Sequence, residues 1–205
     1  MGMTRAGIEL IFGPKLFEVT ECGAEQLELA DPIGEYLLRV LFQDHPSSSA
    51  REFTLQLLLR SEMANMEYTE GRHSLSEYLS DPIAKPICYF HAIHHFTASV
   101  GQTWQFIDLN RSKYERRTGK RVDVFKPNDA SVPEKLNKIY NESKHAPVDY
   151  DSAHQPVWIT NTGIVSESAE LLFHELRATL EKISSSCFKL IDPNYQHERS
   201  GTIEE

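Results

Sequence analysis

The sequence predicts a mostly α-helical bundle carrying one or two short β-hairpins, and three observations predict it. Apolar residues recur at helical spacing over long stretches, most clearly Tyr89, Ile93, Phe96, Val100, Trp104 and Ile107. Capping or proline start signals stand ahead of such stretches, at Asp31-Pro32, Ser49, Asp81-Pro82, Pro133 and Ser166. Strand signals are confined to two short places near the two ends of the chain. At 205 residues the chain can bury a real core, and one domain over 1–205 is expected.

The elements follow in order. Two β-prone runs within 8–20 flank Gly13-Pro14-Lys15, which predicts an N-terminal β-hairpin inside 1–22 that caps an open end of the core. Asp31-Pro32 opens a helix with the stripe Ile33, Tyr36, Leu37, Val40 and Leu41, ending before His45-Pro46. After the serine linker 47–49, a helix over 50–68 carries Leu55, Leu57, Leu58 and Leu59 and continues through Met63 and Met66. Leucine and methionine at this spacing predict core, because methionine fills gaps between packed helices. Gly71-Arg72-His73 breaks the pattern, and a short helical piece follows over 75–79.

Asp81-Pro82 is read as the start of the longest helix, running to about Arg117, with Ile83, Ile87 and Phe90 widening its apolar arc. Residues 120–131 form a polar connection from which Val122–Phe125 dips back to the core. A helix over 132–145 buries Val132, Leu136, Ile139 and Tyr140 and turns Lys138, Asn141, Glu142 and His145 the other way, at about 100° per residue. Pro147 ends it. A loop over 147–155 holds Asp149, Asp151 and His154, and Pro156–Val165 reads as strand–turn–strand about Asn161-Thr162-Gly163. Ser166 is placed as the cap of a last helix with the stripe Leu172, Leu176, Leu180 and Ile183; the tail 192–205 is polar.

Charge and motif content narrow the function. A net charge of -9 argues against a surface that wraps nucleic acid nonspecifically. Arg111, Lys113, Arg116, Arg117, Lys120 and Arg121 form the one basic run. Cys22, Cys88 and Cys187 are far apart and share no Cys-x-x-Cys spacing, which predicts free thiols in a reducing cytoplasm and no zinc ribbon. With no apolar run of about 18 residues and no signal-peptide core, a cytoplasmic chain without a membrane span is expected. His91, His94 and His95 lie on one helical arc opposite the apolar stripe, but the cluster has no carboxylate of its own and reads as a polar packing or dimer face. The Glu70/His73 and Glu142/His145 pairs have the spacing of a di-iron bundle, at a frequency chance explains. No Gly-x-Ser-x-Gly elbow or Gly-rich phosphate loop is present, so hydrolase and nucleotide folds lack a scaffold.

The polar ridge of the 132–145 helix carries the functional lead. Asn137-Lys138-Ile139-Tyr140-Asn141-Glu142-Ser143-Lys144-His145 resembles the C-terminal motif of the HEPN superfamily, an arginine followed by a polar residue, three variable positions and a histidine. Asn141 and His145 match the polar residue and the histidine; Tyr140 stands where the family has arginine. His94-His95-Phe96, Trp104-Gln105 and Pro156–Gly163 are similar to bacterial HEPN-like proteins, so the likeness spans about residues 83–180. The resemblance implies a helical bundle that forms homodimers with the two motifs facing across a cleft. It implies metal-free RNA cleavage in active members and, in inactive ones, accessory roles in toxin–antitoxin or phage-defence systems. In this chain it gives His145 as general acid or base, Asn141 as orienting group and Lys138 as the nearest ridge cation, in the gap Lys138-x6-His145. A lysine lacks the bidentate fork of arginine. The expectation is therefore a noncatalytic or weakly active interaction module with a protein partner such as an antitoxin or defence component. The alternative is a metal-independent endoribonuclease acting on RNA; no cofactor or metal is expected in either case.

Overall fold

The computed structural model describes residues 4–27, 47–144 and 156–191. At the N-terminus the Thr4 side chain accepts the Gly7 N–H and opens helix α1 (Arg5–Phe12). An Arg5–Glu9 ion pair at 2.8 Å spans one turn of it. Gly13, at φ 83°, ends α1, and Pro14 begins a 3-10 turn over Pro14–Glu18. The expected β-hairpin is thus replaced by a helix and a tight turn. The isoleucines and phenylalanines counted as strand formers obey a local cap and ion pair instead, and Ile8, Leu16 and Val19 still reach the core. The chain then runs along helix α2 (Ser48–Ser80), whose Tyr68 and Arg72 donate to the carbonyls of Glu25 and Ala24.

α2 is capped by Ser47 rather than Ser49, its hydroxyl oxygen accepting the Ala50 N–H at 3.1 Å. It continues unbroken through Gly71, where a break was expected. The missing side chain makes room there for the Phe96 ring, so packing overrides the low helix propensity of glycine. Leu57 and Leu58 are buried as expected, but Leu59, Met63 and Met66 face outward at 41%, 43% and 60% exposure.

Helix α3 spans Pro86–Thr118, four residues later than the start read at Pro82. Pro86 has no N–H and fits the first position of a helix, not its second turn. The intervening turn is held by Asp81, which accepts the Ala84 N–H at 3.0 Å. The late start leaves Ile83 and Ile87 exposed, outside the apolar arc assigned to them. Tyr89, Ile93, Phe96 and Val100 are buried as their spacing demands. Gly119, at φ 67°, closes the helix in the left-handed conformation. Phe125 then returns to lie 5.8 Å from the Trp104 ring.

Helix α4 (Val132–Lys144) packs on α3 through Leu136, Ile139 and Tyr140. A three-stranded antiparallel sheet follows, β1 (Val157–Ile159), β2 (Gly163–Ser166) and β3 (Glu170–Leu172), in that order across the sheet. Trp158 pairs with Val165, and Ile164 with Leu171. Ser166 therefore ends β2 and bonds back to Ala169 instead of capping a helix. Helix α5 (Phe173–Ile191) starts seven residues later, where the Glu175 carboxylate accepts the Leu172 N–H at 2.9 Å and Lys135 at 2.7 Å. Its stripe Leu176, Leu180 and Ile183 is buried against α2. The predicted helix after Asp31, the 147–155 loop and the 192–205 tail lie outside the described residues. No described helix is long and apolar enough to cross a membrane.

Candidate functional site

The ridge of α4 is the site the sequence singles out, and its residues do not act alike. Glu134 sits at the start of the helix with its carboxylate buried, one oxygen accepting the Asn128 N–H at 2.6 Å and the other the Ala130 N–H at 2.8 Å. Lys138, one turn on, lies 3.1 Å from the first of these oxygens. Burial alone raises the Glu134 pKa, but the two amides and the Lys138 ammonium outweigh it and hold the carboxyl below its ordinary range. Lys138 is thus committed to an internal carboxylate, which offsets its charge within the chain.

The loop that Glu134 holds is conformationally demanding. Asn128 (φ 61°) and Ala130 (φ 54°) both adopt left-handed backbone, which an alanine Cβ disfavours. Ala130→Gly should therefore raise the unfolding free energy by about 0.5–1 kcal/mol, read from the urea midpoint. An unchanged or lower midpoint would show that Ala130 bears no strain.

The rest of the ridge divides between solvent and the sheet. Asn141 is exposed and donates to the Asn137 side chain at 3.1 Å, leaving its carbonyl toward solvent. Glu142 does not face water as expected. It is half-buried and accepts the Ser168 hydroxyl, tying α4 to the β2–β3 turn. Burial pushes its pKa up, while the hydroxyls of Ser168 and Ser166 and the amides of Glu167 and Ser168 pull it below the usual value, and they prevail. Tyr140 packs its ring edge on Gly101, where a Cβ would stand 3.2 Å away. Its hydroxyl accepts from Gln105 Nε2 at 2.9 Å, and Lys144 Nζ lies 3.7 Å above the ring. His145 lies outside the described residues, so the structure brings together Lys138 and Asn141 on one helix and leaves the third member unplaced.

Spacing along one helix could not reveal the partner of the histidine arc. His95 Nδ1 lies 2.7 Å from Glu67 Oε2, a carboxylate supplied by α2. His91 and His94 stay exposed, with the His94 ring 5.5 Å from that of His95. Among the described residues no group of three or more His, Cys, Asp or Glu is arranged to hold a metal ion. Half of the basic run has a partner within the chain: Arg111 pairs with Asp108 and Glu115, Arg121 with Asp123, and Lys113 stacks over Phe53. The three cysteines are free, and burial pushes the Cys187 thiol up to about 12. A groove of about 560 Å³ opens between α3, α4 and the start of β1, beside Tyr140 and Ser143. The chain matches no family model, no curated protein and no solved structure.

Proposed function

We propose that this chain is a HEPN-like homodimer that works as a noncatalytic interaction module, an accessory to a toxin–antitoxin or phage-defence system. One observation carries the reading: the only ridge cation assigned to the chemistry, Lys138, is bound to Glu134, and Tyr140 occupies the arginine position. Metal-free RNA cleavage must remove a proton from the 2′-hydroxyl, deliver one to the 5′-oxygen and stabilise the phosphorane charge. His145 suits the proton transfers of the first two tasks, and Asn141 can orient the imidazole or the phosphate. Losing the cation for the third removes about 10²–10³ in rate, by analogy with a deleted oxyanion donor. The outward Leu59, Met63 and Met66 further support a role in binding, since methionine surfaces adapt to a partner. The second reading, an endoribonuclease using His145, draws on exposed Asn141 one turn before that histidine.

The test combines light scattering with a cleavage assay on labelled single-stranded RNA, in chelator and with protein in excess. The expected results are a mass of twice 23.5 kDa at micromolar concentration, intact RNA, and no difference between the parent and His145→Ala. Tyr140→Arg should leave RNA intact, because the new side chain inherits a position packed on Gly101. Cleavage by the parent that disappears in dimeric His145→Ala would replace the module by the nuclease. A monomer throughout would remove the facing-motif cleft from both readings.

A further inference from the structure

We infer that His91 and His95 of α3 form a two-histidine chelate for a transition-metal ion such as zinc, with Glu67 of α2 holding His95 in the ligating orientation. The inference stands apart from any chemistry on the α4 ridge. His91 and His95 are four residues apart on one helix, which brings their Cβ atoms to about 5–6 Å. Two imidazoles at this spacing can meet one ion, each through a ring nitrogen at about 2.0–2.1 Å. Ala92, Ile93 and Phe96 take the core side of this stretch and are buried. His91 is left exposed, and its side chain can turn toward its neighbour.

Spacing alone would leave these two as ordinary surface histidines. What sets them apart is a carboxylate that packing supplies from another helix. His95 Nδ1 lies 2.7 Å from Glu67 Oε2. A carboxylate only accepts, so the hydrogen of this bond belongs to Nδ1, and Nε2 of the neutral ring keeps its lone pair. Histidine ligands of metal ions donate their second N–H in this way, which fixes the tautomer and makes the ligating nitrogen more basic. His95 and Glu67 are only 29% and 28% exposed, so part of the ordering cost of the ligand is already met on folding.

The donor set also selects the ion. Imidazole suits zinc, copper and nickel, whereas calcium and magnesium take oxygen ligands. Among the described residues no group of three or more His, Cys, Asp or Glu is arranged to hold a metal ion. The chain therefore supplies two ligands and water completes the shell, unlike a structural zinc centre with four protein ligands. His94 is not assigned to the ion: its ring stands 5.5 Å from that of His95, but adjacent residues diverge by about 100° around a helix.

Calorimetric titration of the untagged full chain with zinc chloride tests the site, and the melting temperature gives a second readout. Saturable binding is expected, with a higher melting temperature in zinc than in chelator. His91→Ala and His95→Ala should each abolish the binding, while His94→Ala should leave it intact. His91 is exposed, so its truncation should not lower the metal-free melting temperature, and loss of binding there reports on the ion. Glu67→Gln keeps the size of the side chain but removes its charge, and should weaken binding by about 10–100-fold. The inference is overturned if zinc does not bind saturably, if binding survives His91→Ala or His95→Ala, or if His94→Ala abolishes it. A Glu67→Gln variant that binds zinc as tightly as the parent would overturn it as well.

Discussion

Phe96→Ala should lower the unfolding free energy by about 3–5 kcal/mol, the range for removing a fully buried phenylalanine. Phe96 has 0% exposure and stands where three elements meet. Its ring meets Tyr68 of α2 edge-on at 5.6 Å and Phe173 at the start of α5 at 4.9 Å. Gly71 lies beneath it, so close that a Cβ would sit 2.9 Å from two ring carbons. In an ordinary helix interior Gly→Ala gains about 1 kcal/mol. Here the sign should reverse, because the ring held by Tyr68 and Phe173 has no room to yield. Gly71→Ala should therefore lower the urea midpoint in the parent, yet raise it in a Phe96→Leu background, where the ring edge is gone. The two substitutions should couple by about 1 kcal/mol or more in a double-mutant cycle. A stabilising Gly71→Ala in the parent would mean that the aromatic junction does not fix the approach of α2 and α3.

The same glycine explains where the chain is legible and where it is not. Helical periodicity locates the α3 stripe from Tyr89 to Val100, the buried side of α4 and the α5 stripe, because those residues face neighbours at a period the sequence records. The turn residues Asn161–Gly163 likewise place β1 and β2. Gly71 looks like a break because propensity carries no knowledge of a ring 25 positions downstream. Thr4 and the Arg5–Glu9 pair outweigh β-prone side chains at the N-terminus. Leu59, Met63 and Met66 share the spacing of core residues, and only the placement of the other helices decides which stripe is covered. The site shows the same division. Residue types mark the α4 ridge, but Glu134 belongs to neither face assigned from spacing, although its carboxylate governs Lys138. Glu67 is invisible as the partner of His95 because it comes from another helix. What the apolar period omits is polar bonding, whether a local cap and ion pair as at Thr4 and Arg5–Glu9 or a contact between helices as at Glu67–His95.

Glu134→Gln should destabilise the 126–131 loop and free Lys138 at once. The parent carboxylate is an acceptor at both oxygens, each taking a backbone N–H of the loop. A glutamine keeps one acceptor and turns an NH₂ donor against the other N–H, which loses its partner. The remaining support comes from Asp129, whose side chain accepts the amides of Lys126 and Ser131. A lower melting temperature at neutral pH is the expected result. Its pH dependence follows from the sign of the shift. The Glu134 carboxyl is held below its ordinary value of 4.5, so folding gains from its ionised form above that pH. The gain fades as pH falls through the depressed value. The difference between parent and variant should accordingly be full at neutral pH, begin to narrow as pH falls below the ordinary value of 4.5, and close only as pH falls through the depressed one. The freed ammonium has a second signature: if the ridge meets single-stranded RNA, one more phosphate contact steepens the log–log salt dependence of binding by about 0.7. Equal melting temperatures of parent and variant across this pH range would sink the assignment of Glu134 as the anchor of the loop. With it would go the reason for regarding Lys138 as already neutralised, and the case for a noncatalytic ridge would rest on Tyr140 alone.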